Sequence, residues 1–255
     1  MKILVIGELC VDRFVYGSID RLCPEAPVPV INPIEVKEND GMAGNVVKNI
    51  ESVYPNCDII HWHQQNKLSK TRYVEKKSNQ MVLRVDEGEG DSMESFGFIS
   101  PQRNNTISES DVVIISDYNK NYLTNNDIVQ ISKISKFTII DTKRKLTQEI
   151  VDNVDFVKVN QKEYLNNKEI ADKNRDKFII TMGIDGVQYM SVTYPSPNPQ
   201  ETIDVSGAGD TFVASFTVKY LLTKDIVSSI DYANSVCANV VNKKGVSLPD
   251  KEFML

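Results

Sequence analysis

Little in this 255-residue chain could hold it together covalently or anchor it in a membrane. It has four cysteines, Cys10, Cys23, Cys57 and Cys237, and no two stand in CxxC spacing. That excludes a disulfide framework and a cysteine zinc motif, and fits a reduced, cytoplasmic setting. Histidine is rarer still. Both histidines fall in HWH (61–63), with no cysteine or acid partner beside them, which reads as a plain strand or surface loop rather than a metal site. No stretch approaches the roughly 18 apolar residues of a membrane helix, and the apolar run before Gly7 is too short for a signal peptide. A basic excess is also missing. Lys and Arg number 29 against 35 Asp and Glu, for a net charge of −6, so a general nucleic-acid binder is not expected. The Walker pattern GxxxxGK[ST] is absent, which argues against a P-loop enzyme. No repeat, low-complexity tract or linker divides the chain, so a single domain over 1–255 is expected.

What is present is a rhythm of short apolar runs: KILVIG (2–7), DII (58–60), DVVIIS (111–116), FTIID (137–141), FVKVN (156–160) and KFIIT (177–181). Most follow segments that can be helical, which predicts alternating β and α and a largely parallel sheet. Two apolar stripes near the C-terminus, Val213–Phe216–Tyr220 and Ile226–Ile230–Ala233–Val236–Val240, predict core-facing helices. Segments 14–36 and 71–86 break the rhythm. Both are strand-like: VPVINPIEV (28–36) is extended and proline-broken, so an edge strand or lid strand, and TRYVEKK with MVLRVD (81–86) alternates as a hairpin with its turn near SNQ (78–80). Together they predict a small β subdomain on the edge of an α/β body.

One stretch carries chemistry. In IDVSGAGDTFVASF (203–216), small residues precede an acid at the start of a helical pattern. A helix N-terminus offers unpaired N–H groups and the positive end of the macrodipole. Glycines there let an anion approach the backbone closely. Gly207, Ala208 and Gly209 can thus cradle a phosphoryl group. Asp210 beside them can take a proton from a substrate hydroxyl. Asp204 and Ser206 offer oxygens for a hard cation. On spacing alone, a glycine turn with an acidic cap reads equally well.

DVSGAGDTF resembles the C-terminal signature of the ribokinase-like (PfkB-type) carbohydrate kinases, D-[TV]-x-G-A-G-D. Other pieces agree in order. GMAGN (41–45) is similar to the family's motif at the sugar site, with Met42 in place of its second glycine. GELCVDRF (7–14) resembles the opening whose aspartate, here Asp12, holds sugar hydroxyls. NQKE (160–163) resembles N-x-x-E, TMGIDGV (181–187) resembles T-x-G-x-x-G, and ANSVCANVVNKKG (233–245) resembles the adenine-flanking helix and loop.

The resemblance implies an α/β fold, a ribokinase-like three-layer sandwich with a mostly parallel central sheet and a small β-strand lid. It implies ATP and Mg²⁺, and K⁺ at a monovalent site near Asp204 and Ser206. Asp210 would be the base, with the N–H groups of Gly207, Ala208 and Gly209 stabilising the transferring group. Asp12, Gly41 and Asn45 would bind sugar. Asn160 and Glu163 would support phosphates and, through water, Mg²⁺. Thr181, Gly183, Gly186 and Asn234 would flank the nucleotide.

RLCPEAPVPV (21–30), NQMVLRVD (79–86) and SDYNK (116–120) resemble segments of the bacterial D-glycero-D-manno-heptose 7-phosphate kinases, often the N-terminal half of a bifunctional protein. This implies a small-molecule sugar phosphate as substrate; Arg72 and Arg84, with Lys120 next, are candidates to meet its phosphate or else plain surface charges, and Asp117 contacts sugar or caps a turn. It also implies a homodimer through the lid. No nucleotidyltransferase half follows Leu255, so the second activity of the bifunctional enzymes is not expected. The chain departs from the family in DIIHWHQQNKLSK (58–70), which replaces a strand and helix, and in the brief stretch between NQKE and KFIIT. Two alternatives stand beside the heptose reading: a kinase of another sugar or nucleoside, and a sugar- or nucleotide-binding protein derived from a shortened kinase.

Overall fold

The computed structural model describes all residues except 67, 90–93, 98, 198–204 and 244. In chain order the elements are β1 (Lys2–Gly7), β2 (Leu9–Leu22), β3 (Pro29–Met42), α1 (Ala43–Val53), β4 (Asp58–Trp62), β5 (Leu68–Glu75), β6 (Gln80–Glu87), α2 (Pro101–Glu109), β7 (Val112–Asp117), α3 (Asn125–Ile134), β8 (Thr138–Thr142), α4 (Gln148–Asn153), β9 (Phe156–Asn160), α5 (Gln161–Asn166), α6 (Lys168–Lys173), β10 (Phe178–Thr181), β11 (Val187–Tyr189), β12 (Val192–Tyr194), α7 (Ala208–Thr223) and α8 (Ile226–Val241).

Eight strands form one sheet in the order β12-β11-β10-β9-β8-β7-β1-β4. It is parallel from β4 to β10 and antiparallel where β11 and β12 join. Both faces are covered, which is why these strands read as continuous apolar runs. On one side Leu4, Ile6, Val113, Ile115, Val157 and Val159 pack with α2, α3 and α4 residues such as Ile107, Ile128 and Ile150. On the other, Ile3, Val5, Val112 and Ile114 pack with α1, α7 and α8. The result is the expected three-layer α/β sandwich. Residues Asp210 to Val218 of α7 are all buried. A helix walled in on every side carries its first-turn acid into the interior with it.

The second sheet is the lid, ordered β3-β2-β5-β6. β3 is the predicted edge strand, and Pro33 sits opposite Gly17 at a break in the β2–β3 register. The 71–86 segment forms the predicted hairpin as β5 and β6. The strands extend beyond the predicted segments. β2 starts at Leu9 and β3 runs to Met42, so Asp12 and Gly41 belong to the lid sheet itself. β4 ends at Trp62, and the chain then enters the lid strand β5.

HWH follows the plain-strand reading. His61 and Trp62 lie in β4, and the His61 and His63 rings stand 4.7 Å apart. Burial first, then His63, pushes the His61 imidazole down to about 4, so it is neutral near pH 7. Among the described residues no helix is long and apolar enough to cross a membrane.

Candidate active site

The chemistry-bearing residues collect at the C-terminal ends of the parallel strands, where open α/β sheets bind ligands. Glu8 follows β1, Asp117 ends β7, Asp141 lies in β8, Lys158 and Asn160 in β9, and Thr181 ends β10. The N-terminus of α7 faces this edge.

Gly207 caps α7 at φ +82°, a left-handed conformation that favours glycine. An added Cβ there would also come within 2.6 Å of the Asn45 amide nitrogen. The close approach matters because Asn45 holds Asp210, its Nδ2 donating to Oδ2 at 3.0 Å. Asn49 donates to the Asn45 carbonyl and side-chain oxygens, and Thr211 donates to Asn49 Oδ1 at 2.9 Å. α1 and α7 are thereby locked around the carboxylate. Its other oxygen accepts from the Tyr118 hydroxyl at 2.7 Å. Burial raises the Asp210 carboxyl to about 6, with the Asn45 and Tyr118 hydrogen bonds opposing the shift. At neutral pH it is a carboxylate basic enough to take a proton from a hydroxyl.

A cleft of about 360 Å³ adjoins it. Ala208, Gly209, Lys158, Asn160, Thr181, Gly183, Gly186 and Asn234 all line it. These include every residue expected at the nucleotide except Glu163, which stands one helical turn behind Asn160. The NQKE motif is a capping box. Asn160 Oδ1 accepts from the Glu163 N–H at 2.9 Å, and Glu163 Oε2 accepts from the Asn160 N–H at 2.7 Å. Burial raises the Glu163 carboxyl, and Asp141 adds to the rise. Asn234 commits its amide to the Tyr194 carbonyl, so it shapes the wall of the cleft. This donor set fits Mg²⁺, which needs one or two protein carboxylates beside phosphate and water oxygens. Glu163, and Asp141 beside Lys158, are the carboxylates that would hold it. Of the predicted monovalent site, Asp204 lies outside the described residues, and Ser206 stands in the turn before α7.

On the lid side, Asp12 pairs with Arg72 at 2.5 Å. A Cβ at position 41 would overlap the Asp12 carboxylate, so Gly41 makes room for it. Arg84 lies opposite Arg72 in the β5–β6 register and bonds Asp86 through two nitrogens. Lys120 is ion-paired to Glu89.

Asp117 follows the turn-capping alternative and is also half of a buried ion pair. It is buried, and its two oxygens accept from Arg144 Nε at 2.5 Å and Nη2 at 2.8 Å, from Thr142 Oγ1, and from the Asn119 N–H. A carboxylate so fully satisfied fixes the β7 and β8 loops to each other.

The sequence reading passed over four residues. Lys158 is buried, its ammonium 3.0 Å from Asp141 and 2.7 Å from where a Cβ on Gly209 would stand. Burial alone would lower Lys158, but Asp141 and Glu163 outweigh it and keep the ammonium charged. A cation beside the α7 N-terminus adds positive charge where an anion would be favoured. Its signal was visible, as the one charge inside the apolar run FVKVN. Asp141, the acid ending FTIID, was visible in the same way. Glu8, fully buried, accepts from the Tyr118 and Lys120 N–H groups, and Tyr118 reaches Asp210. Neither had a sequence signal, because both act through loop geometry.

Residues 127–252 match the sequence model of the pfkB family carbohydrate kinase. The matched segment is just under half of the chain and takes in Lys158, Asn160, Glu163 and Asp210. It is 29% identical to the bifunctional protein HldE of Helicobacter pylori (strain J99 / ATCC 700824), over 98% of this chain and 65% of that protein. It is 26% identical to the bifunctional protein HldE of Marinomonas sp. (strain MWYL1), over 96% and 61%. The chain thus spans less than two thirds of these relatives. In fold it is similar to ribokinase of Arabidopsis thaliana complexed with ribose and ATP, with TM-score 0.72, 14% identity and coverage of 98% and 96%. It is also similar to phosphofructokinase-2 of Escherichia coli in complex with potassium, with TM-score 0.75, 13% identity and coverage of 99% and 96%.

Proposed function

We propose that this kinase transfers the γ-phosphoryl group of ATP to the anomeric hydroxyl of a heptose 7-phosphate. The observation that carries the reaction is Asp210, buried in the first turn of α7 beside an anion-binding N-terminus and a charged lysine. Asp210 accepts the hydroxyl proton as the sugar oxygen attacks phosphorus. The backbone N–H groups of Gly207 and Gly209, with Lys158, receive the charge on the transferring group, and Ala208, whose N–H here donates to the Val205 carbonyl, would join them only on release from it; donors of this kind contribute about 3 kcal/mol each in other enzymes. Mg²⁺ held through Glu163 would neutralise phosphate charge.

Two things support the sugar. The relatives named HldE align over nearly the whole chain. The lid also sets Lys70, Arg72 and Arg84 near Asp12, a basic group suited to a second phosphate on the acceptor. Exposed Ile34, Val36, Met81 and Leu83 on the lid support the homodimer, which sedimentation tests directly. Ser206 beside a monovalent cation and a cytoplasmic location belong to the same reading.

The experiment is ADP release with D-glycero-D-manno-heptose 7-phosphate, fructose 6-phosphate and ribose in parallel. We expect turnover on the heptose alone. Turnover on another sugar keeps the kinase and overturns the substrate, and ligand binding without turnover favours the binding-protein alternative. A graded check is Gly41→Ala. It should raise KM for the sugar about tenfold by displacing Asp12 and leave KM for ATP unchanged, the loss of a charge-assisted hydrogen bond being worth about 1.5 kcal/mol.

A further inference from the structure

The Tyr118 side chain joins three parts of the molecule. Its hydroxyl donates to Asp210 Oδ1 at 2.7 Å. Its ring packs against Cys10, Met42 and Leu68 at the root of the lid. Two ammonium groups flank the ring: Lys143, from the loop after β8, 3.9 Å from its centroid, and Lys70, from lid strand β5, at 5.5 Å. The backbone beneath it is equally constrained. Glu8 Oε2 accepts from the Tyr118 N–H at 2.8 Å and Oε1 from the Lys120 N–H at 2.9 Å. Asn119 and Asn121 adopt positive φ, 56° and 69°, in the turn that follows. A non-glycine turn of this kind persists only where its surroundings over-determine it.

We propose that Tyr118 is the positioning residue of the Asp210 carboxylate, and that it sets the orientation and basicity of that group only while the lid sheet is packed against the phenol ring. Asn45 fixes one carboxylate oxygen and Tyr118 the other, so rotation about χ2 of Asp210 is blocked from both sides. The hydroxyl is a hydrogen-bond donor to the charged form, which favours the carboxylate over the acid. Glu8 acts one step further back, holding the loop that delivers Tyr118. The proton of the acceptor still goes to Asp210, whose oxygens each retain a lone pair, and Tyr118 gives up no proton itself.

The inference rests on the role proposed for Asp210, and two measurements keep the two apart. The first needs no substrate. Carboxyl ¹³C NMR follows the Asp210 titration in the unliganded protein, assigned by loss of the signal in Asp210→Asn. In Tyr118→Phe the Asp210 midpoint should move upward by about half a pH unit or more, as expected when a donor to the charged form is removed. An unmoved or lowered midpoint in a folded Tyr118→Phe protein overturns the proposal, whether or not any sugar is turned over. The second is kinetic. Tyr118→Phe should lower kcat about tenfold, leave KM for ATP within about twofold, and shift the acid limb of the kcat profile upward with the NMR midpoint. Unchanged or raised kcat would mean that Tyr118 merely occupies the base until substrate arrives, and would also overturn it. If wild type turns over no sugar while the NMR midpoint moves as expected, the kinase reading of Asp210 fails and the positioning of its carboxylate stands.

Discussion

Asp210→Asn should lower kcat by about 10²–10⁴, the usual contribution of a general base, with ATP and sugar binding retained. The substitution is nearly isosteric and leaves the α7 N-terminus, Lys158 and the cleft in place. Binding therefore persists while proton acceptance is lost. The pH profile supplies an independent check. The carboxyl lies at about 6 because burial raises it. A base must be ionised to work, so activity should climb as pH rises through about 6 and level off above it. Residual activity of Asp210→Asn should lose that limb. An acid limb that survives the substitution would assign it to another group, and wild-type turnover by Asp210→Asn would remove the base from this residue.

Arg144→Met should cost about 3–5 kcal/mol of stability, the penalty for stranding one member of a buried ion pair. Both partners are buried, and Asp117 would keep only Thr142 Oγ1 and the Asn119 N–H. Glu8 makes this worse. It is a second buried acid whose carboxyl is raised by burial and by Asp117 itself. In a chain of this length, such a loss lowers the melting temperature by roughly 10 °C. The pairing of Asp117→Leu with Arg144→Met should recover much of the loss, because it removes the uncompensated charge. Calorimetry of the three variants decides the point. An unmoved melting temperature in Arg144→Met would overturn this account of the pair. Since the pair ties the β7 loop to the β8 loop, Arg144→Met should also loosen the segment that carries Tyr118.

The sequence alone determined the layered architecture, because strands buried on both faces must be apolar throughout and the runs at 2–7, 111–116, 137–141, 156–160 and 177–181 meet that demand. It also pointed to the candidate anion site, through the resemblance of DVSGAGDTF. Only small residues let a ligand reach helix N–H groups, and GAG before Asp210 states this locally. Lys158 was legible in principle, since a charge inside a buried strand needs a reason. The tertiary structure decided what depends on residues far apart in the chain. Asp117 and Arg144 are separated by 27 positions, and nothing in SDYNK distinguishes a sugar ligand from half of a buried ion pair. Asn45 and Tyr118 reach Asp210 across 165 and 92 positions. A carboxylate's basicity is set by its burial and its hydrogen-bond donors. Local sequence could single out Asp210, but only the packing of α1, the β7 loop and the lid around it could set its basicity.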